Sequence, residues 1–178
     1  MHPVNTMQSG RRNRRAGTSR WVRSVTLATA ALGLAAGNLA MAGPSSAAPL
    51  DVNAAVAQMN AARARAACPS LSVNGALNEA AQGHSSDMAL TLRTVSSTGS
   101  DKSTPATRVA AAGYEPRSVG EVVFMAPPGA TTEDVVGAWL NGGSKQYILN
   151  CAFTNVGIGV VSGPNSQAYW TADLARPK

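Results

Sequence analysis

Near the C-terminus, two runs suited to extended backbone, Asn155 to Val161 and Ala168 to Leu174, flank the turn-forming quartet Ser162-Gly163-Pro164-Asn165. Val, Ile, Tyr, Trp and Thr favour a pleated, half-buried surface, whereas Gly, Pro and Asn favour the tight reversal between the runs. Strands joined by so short a connection lie antiparallel, because a parallel crossover needs a dozen or more residues. A third run, Ser118 to Met125, carries Val119, Val122, Val123 and Phe124, is interrupted by Gly120 and Glu121, and stops at Pro127-Pro128-Gly129.

Helical patterns precede and separate these strands. Asp51 is placed to cap a helix running to about Ala67, with Val52, Val56, Met59 and Arg63 at three- and four-residue spacing and Pro69 barring its continuation. A second helix is expected from Gly75 to Leu92, with Leu77, Ala81, His84, Met88 and Leu92 on one stripe. The polar stretch Thr94 to Ser103 reads as a surface loop. A short helix then starts at the Thr104 cap with Pro105 in first position, and Gly113 follows its end. Thr131 and Asp134 form a capping-box-like start for a helix to Asn141 with Val135, Ala138 and Trp139 inward, followed by a loop at residues 142–145. Strands with helices before and between them make an α+β layered domain.

The formal net charge of +6 invites a polyanion-binding reading, but the charges are unevenly placed. Arg11, Arg12, Arg14, Arg15, Arg20 and Arg23 all precede residue 42, and every acidic residue follows it. Beyond that point nine basic residues meet nine acidic ones. The remaining cations are scattered, which argues against nucleic acid as a partner, since such binding needs many clustered phosphate contacts.

The Arg-rich start, the apolar stretch from Val25 to about Ala42 and the small-residue sites Ala40-Met41-Ala42 and Ser45-Ser46-Ala47 read as a secretory signal. The expected organisation is a signal peptide at 1–42, a linker at 43–50 and one domain at 51–178. Retention of the apolar stretch as an anchor is the alternative, disfavoured by Gly33, Gly37 and Asn38. The paired arginines leave open a twin-arginine export route. The expected destination is extracellular or the cell envelope, with no membrane span after cleavage. Export gives meaning to the two cysteines, Cys68 and Cys151, 83 positions apart. A bridge is expected, with two separate buried thiols as the alternative. Closing such a loop stabilises the fold by about 4 to 5 kcal/mol in the chain-entropy account.

Across residues 52 to 175 the chain also carries, in order, A-x-x-H-S-x-D-M-A, G-Y, G-E-V-V-F, E-D-V-V-x-A-W-L-N, I-L-N-C-A-F-T-N-V-G-I-G-V and Y-W-T. This series resembles the CAP domain of cysteine-rich secretory proteins, venom allergens and plant defence proteins, in particular its exported bacterial branch. The resemblance implies a three-layer α-β-α sandwich around a central, largely antiparallel sheet. It also implies a cleft in which two His and two acidic residues commonly hold a divalent metal.

Carried over position by position, the resemblance marks four residues of this chain. The first His position, eleven before Arg108, is Ser97; the first acid, in Gly120-Glu121-Val122, is Glu121. The second acid, five before Trp139, is Asp134, beside Glu133; the second His position, in Gly143-Ser144-Lys145 within a loop one residue shorter, is Ser144. Two carboxylates and two hydroxyls offer no nitrogen or sulfur donor, so a zinc-type site, a metal and any other cofactor are not expected. A hard cation held loosely through waters is the most such a set provides.

His84 has two readings: a packed structural imidazole, which fits its helix stripe, or a general base for Ser97 or Ser144 oriented by Glu121. Glu121 likewise reads either as a carboxylate tying the sheet to a neighbouring element or as a desolvated acid lining a groove. Trp139, Trp170, Tyr114 and Tyr169 read as core anchors. The leading expectation is a non-catalytic, monomeric binding module presented to a lipid or sterol, a peptide, or a host or envelope surface. The alternatives are a hydrolase using Glu121, a Ser and His84, and a structural envelope protein.

Overall fold

The computed structural model describes residues 50–178; the expected signal segment at 1–42 and linker positions 43–49 lie outside the described residues. The elements run α1 (Val52–Arg65), β1 (Ser72–Val73), α2 (Gly75–Asp87), α3 (Pro105–Ala111), β2 (Pro116–Ala126), α4 (Thr132–Asn141), α5 (Lys145–Ile148), β3 (Asn155–Ser162) and β4 (Ala168–Pro177). The sheet order is β1-β3-β4-β2, antiparallel except for the short β1–β3 pair. The expected hairpin is β3–β4. Helices cover both faces, α2 and α3 on one and α1, α4 and α5 on the other, giving the α+β three-layer sandwich.

Strand periodicity divides β4 between the layers. Ala168, Trp170, Ala172 and Leu174 enter the main apolar core with Met59, Val135, Trp139 and Ile158. Tyr169, Thr171, Asp173 and Ala175 alternate with them and face α2 and α3. Trp139 and Trp170 meet edge to face at 6.2 Å, an arrangement the ring quadrupoles favour.

On the second face α2 lies almost in contact with the backbone of β3. A Cβ on Gly157 would stand 2.0 Å from the Leu77 carbonyl carbon, and one on Gly159 would stand 2.3 Å from the Gln82 nitrogen. At that closeness α2 side chains reach the outer edge of β3. Asn78 Oδ1 accepts from Ile158 N (3.0 Å), and Gln82 exchanges bonds with Val160 N (3.1 Å) and O (3.2 Å). The match follows from pitch, since four helical residues and two strand residues both advance roughly 6 to 7 Å.

Four local details differ from expectation. The second helix is α-helical only to Asp87, then widens into a π-helical turn at Met88–Leu92 that Arg93 ends at φ 54°. The loop at 142–145 ends in an unforeseen helical turn, α5. β1 pairs through two residues, too few for a periodic signal. In α4, Val136 is buried and Ala138 only partly so.

Cys68 and Cys151 are disulfide-bonded, with Cα atoms 4.8 Å apart. Beside them Arg63, fully buried, donates to the carbonyls of Pro69 (2.8 Å), Ile148 (2.6 Å), Asn150 (2.9 Å) and Phe153 (2.9 Å). The guanidinium and the bridge therefore bind the same two stretches of chain together.

Candidate functional site

Glu121 on β2 and Asp173 on β4 are direct register partners. They face the same layer, which puts their Cβ atoms about 5 Å apart. Both are buried, Glu121 with 8 % and Asp173 with 0 % of its surface exposed. Two helices bring their partners. The reciprocal Thr104–Thr107 capping box and Pro105 start α3 so that Arg108 lies one turn in, and its Nη2 donates directly to Glu121 Oε2. The apolar stripe of α2 turns His84 inward until its Nε2 is 3.8 Å from Glu121 Oε1.

One guanidinium thus bonds one of two adjacent carboxyl groups. No donor among the described residues reaches either oxygen of Asp173, and Glu121 Oε1 lacks a hydrogen-bonding partner when both acids are ionised. Burial, reinforced by the charge of Glu121 and opposed by Arg108, pushes the Asp173 carboxyl up to about 8. A hydrogen bond from the protonated Asp173 to Glu121 favours the same rise.

His84 Nε2 lies 2.7 Å from the Ser96 carbonyl. A carbonyl only accepts, so Nε2 carries a hydrogen, while buried Nδ1 has no partner. The Arg108 guanidinium reaches the Ser97 carbonyl through Nη2 (3.1 Å) and the Ser103 carbonyl through Nη1 (3.1 Å). Asp87, at the end of α2, accepts from Ser100 N (2.8 Å) and Oγ (2.6 Å). Burial works against its ionisation, but the Ser100 bonds prevail and hold its carboxyl below the ordinary value.

Of the positions marked by resemblance, Ser97 and Glu121 meet through Arg108, with His84 beside them. Asp134 lies elsewhere, at the start of α4. It accepts from Thr131 N and Oγ1, both at 2.8 Å, and these bonds hold its exposed carboxyl below its usual value. Ser144 precedes α5, where its carbonyl receives Tyr147 N at 3.0 Å. Both belong to the layer across the sheet from Glu121. No His, Cys, Asp and Glu grouping of three or more suited to a metal occurs among the described residues. Nor is any Ser or Thr hydroxyl among them bonded to His84.

Sequence reasoning used Arg108 only as a landmark and passed over Asp173. A partial signal for Asp173 was present: it is the sole carboxylate in the run from Ala168 to Leu174, where only Thr171 is otherwise polar.

The opposite layer holds a cavity of about 480 Å³ between α1 and α4, lined by Ala62, Arg65, Gly137, Leu140, Lys145 and Leu149. A second hollow of about 400 Å³ shares Arg65, Gly137 and Leu140 with it and continues toward Gln58 and Glu133. Small side chains at Ala62 and Gly137 leave this trough open.

Residues 56–174 match the model of the CAP domain, the cysteine-rich secretory protein family. The chain belongs to this family. Solved structures agree on the CAP fold at low sequence identity. An outer surface protein of Borrelia burgdorferi superposes with a TM-score of 0.63 at 18% identity, covering 71% of this chain and 92% of its own. An extracellular SCP-domain protein of Bacillus anthracis gives 0.59 at 24% identity, covering 70% and 39% respectively. A cysteine-rich secretory protein of Staphylococcus aureus gives 0.55 at 12%, covering 69% and 37%. No curated protein shows significant similarity to this CAP chain. No helix of the described residues is long and apolar enough to cross a membrane.

Proposed function

We propose that this chain is an exported CAP-domain binding module without catalytic turnover, and that its α1–α4 trough takes a long-chain fatty acid. The observation that carries the reading is the cavity of about 480 Å³ whose walls are Ala62, Ala66, Gly137, Leu140 and Leu149 and whose rim bears Arg65 and Lys145. An acyl chain buries apolar surface along those walls, at about 25 cal/mol per Å² removed from water, and its carboxylate pairs with the two cations. On the other face, His84 Nε2 is occupied by a carbonyl, which supports a binding role over hydrolysis. The arginine-rich leader and the disulfide support export.

The test is equilibrium binding of a long-chain fatty acid to the purified protein. Saturable binding is expected, weakened at least tenfold in Arg65→Glu/Lys145→Glu and abolished when Ala66→Trp fills the trough. Binding that is absent, or indifferent to both changes, overturns the proposal. We read the family's metal positions as degenerate, because Ser97 and Ser144 supply hydroxyls and Asp134 is committed to a helix cap. Calorimetric titration with zinc checks this; submicromolar binding contradicts it.

A further inference from the structure

The segment from Thr94 to Ser103 crosses the surface above the Glu121–Asp173 pair, and its attachment is unusual. Of its ten residues only Gly99 is buried, and Val95, its one large apolar side chain, is 43 % exposed. Its backbone hydrogen bonds are internal, from Gly99 N to Ser103 O and from Lys102 N to Gly99 O. Every bond to the body of the domain comes from three side chains: His84 to the Ser96 carbonyl, Asp87 to Ser100, and Arg108 to the Ser97 and Ser103 carbonyls. The segment follows a π-helical turn, and non-glycine residues hold left-handed backbone at both its ends, Arg93 at φ 54° and Lys102 at φ 69°. Such conformations are disfavoured outside glycine and persist only where the surroundings impose them.

A stretch with no apolar anchor, a few polar ties and unfavourable backbone at both ends has the makings of a local opening unit distinct from global unfolding. We infer that residues 94–103 form a hinged strap over the buried carboxyl pair, clasped by Arg108, whose guanidinium holds Glu121 with the same side chain that holds the strap. Its hinges are Arg93 and Lys102. When the strap lifts, the Ser96 carbonyl leaves His84, and the imidazole and the Glu121 carboxylate become reachable from solvent. Closed, the strap leaves no more than 1 % of the His84 and Glu121 side chains exposed, while the Arg108 side chain stays 11 % exposed. Arg108 is a positioning residue in this arrangement, because it acts on the strap and not on a bound molecule.

His84 reports the state of the strap, since the only other histidine in the chain is His2 in the leader. The protein is treated with diethyl pyrocarbonate, and modification of His84 is followed by peptide mass spectrometry, with an added histidine-containing peptide as the internal standard for reagent. In the wild type His84 reacts slowly. Arg108→Met removes two charge-assisted ties to strap carbonyls and raises the His84 rate at least about tenfold, while hydrogen exchange quickens in residues 94–103 and stays slow in α2 and β4. Arg108→Met also leaves Glu121 without its counter-charge, so Asp87→Ala provides a second variant that removes the two Ser100 ties without touching Glu121. A several-fold rise is expected there. His84 rates unchanged in the folded variants, or rates that rise only in step with exchange throughout α2 and β4, overturn the strap.

Discussion

The two faces of the central sheet are built on different principles although β4 supplies both. Toward α1 and α4 it sends Ala168, Trp170, Ala172 and Leu174 into a continuous apolar core. Toward α2 and α3 it sends Thr171 onto Ser85, Asp173 opposite Glu121, and Tyr169 and Ala175 into two smaller apolar clusters. The first face is held by one continuous buried volume, the second by smaller apolar clusters, the close approach of α2 to β3 and specific polar contacts. A strand covered on both sides can therefore look uniformly internal while its alternate positions obey separate rules.

The largest expected effect breaks the comparison on its apolar side. Trp170→Ala empties the space beside Trp139 and lowers unfolding free energy by about 4 kcal/mol, read from urea denaturation. Thr171→Val, one position along, belongs to the other face. A Trp170→Ala loss no greater than that of Thr171→Val would show that the two faces are not distinct.

Gly159→Ala tests the close approach. The added methyl meets helix backbone, which cannot move aside as a side chain can, so a loss of about 3 kcal/mol is expected by the same measurement, with α2 amides exchanging faster.

The third prediction concerns pH. Asp173 is raised from the ordinary carboxyl value to about 8, so the folded state keeps a proton that the unfolded chain has given up. Its contribution to stability is fully present below about 4 and is lost as pH climbs toward about 8, at up to about 1.4 kcal/mol per pH unit. Asp87 and Asp134 are depressed and act in the opposite sense, their contributions being lost in acid. Melting temperatures of the wild type should therefore fall between pH 5 and 8, and Asp173→Asn should flatten that slope. A wild-type profile already flat across that range contradicts the shared proton.

The smallest effect is Thr171→Val itself, about 1 kcal/mol, because Ser85 keeps its bond to the Gly159 carbonyl when the neighbouring hydroxyl is lost. Chemical denaturation of this variant beside Trp170→Ala completes the pair.

The apolar face was the legible one. Trp139, Trp170, Val135 and the α1 residues Val52, Val56 and Met59 announce themselves through period and residue type, and the Ser162–Asn165 turn dictates antiparallel pairing of its flanks. The polar face was only half legible. Glu121 and His84 stand out as single residues in apolar surroundings, but nothing along the chain says that Arg108 supplies the counter-charge or that Asp173 lies opposite Glu121. Those facts depend on the register of β2 against β4, which long-range pairing sets. Carrying family positions forward placed Ser97 beside Glu121 through Arg108, but left Asp134 and Ser144 across the sheet. The two-residue β1 and the single turn of α5 are shorter than any period that sequence could reveal.

Asn78 and Gln82 have a further consequence for how copies of this molecule treat one another. Open strand margins are templates on which a neighbouring polypeptide can add itself, and repeated addition makes fibres. Along β3 those side-chain amides already occupy the Ile158 N–H and both the N–H and the carbonyl of Val160, positions a newcomer would need. The helix serves as a permanent selvedge that keeps this side of the fabric from being sewn to the next.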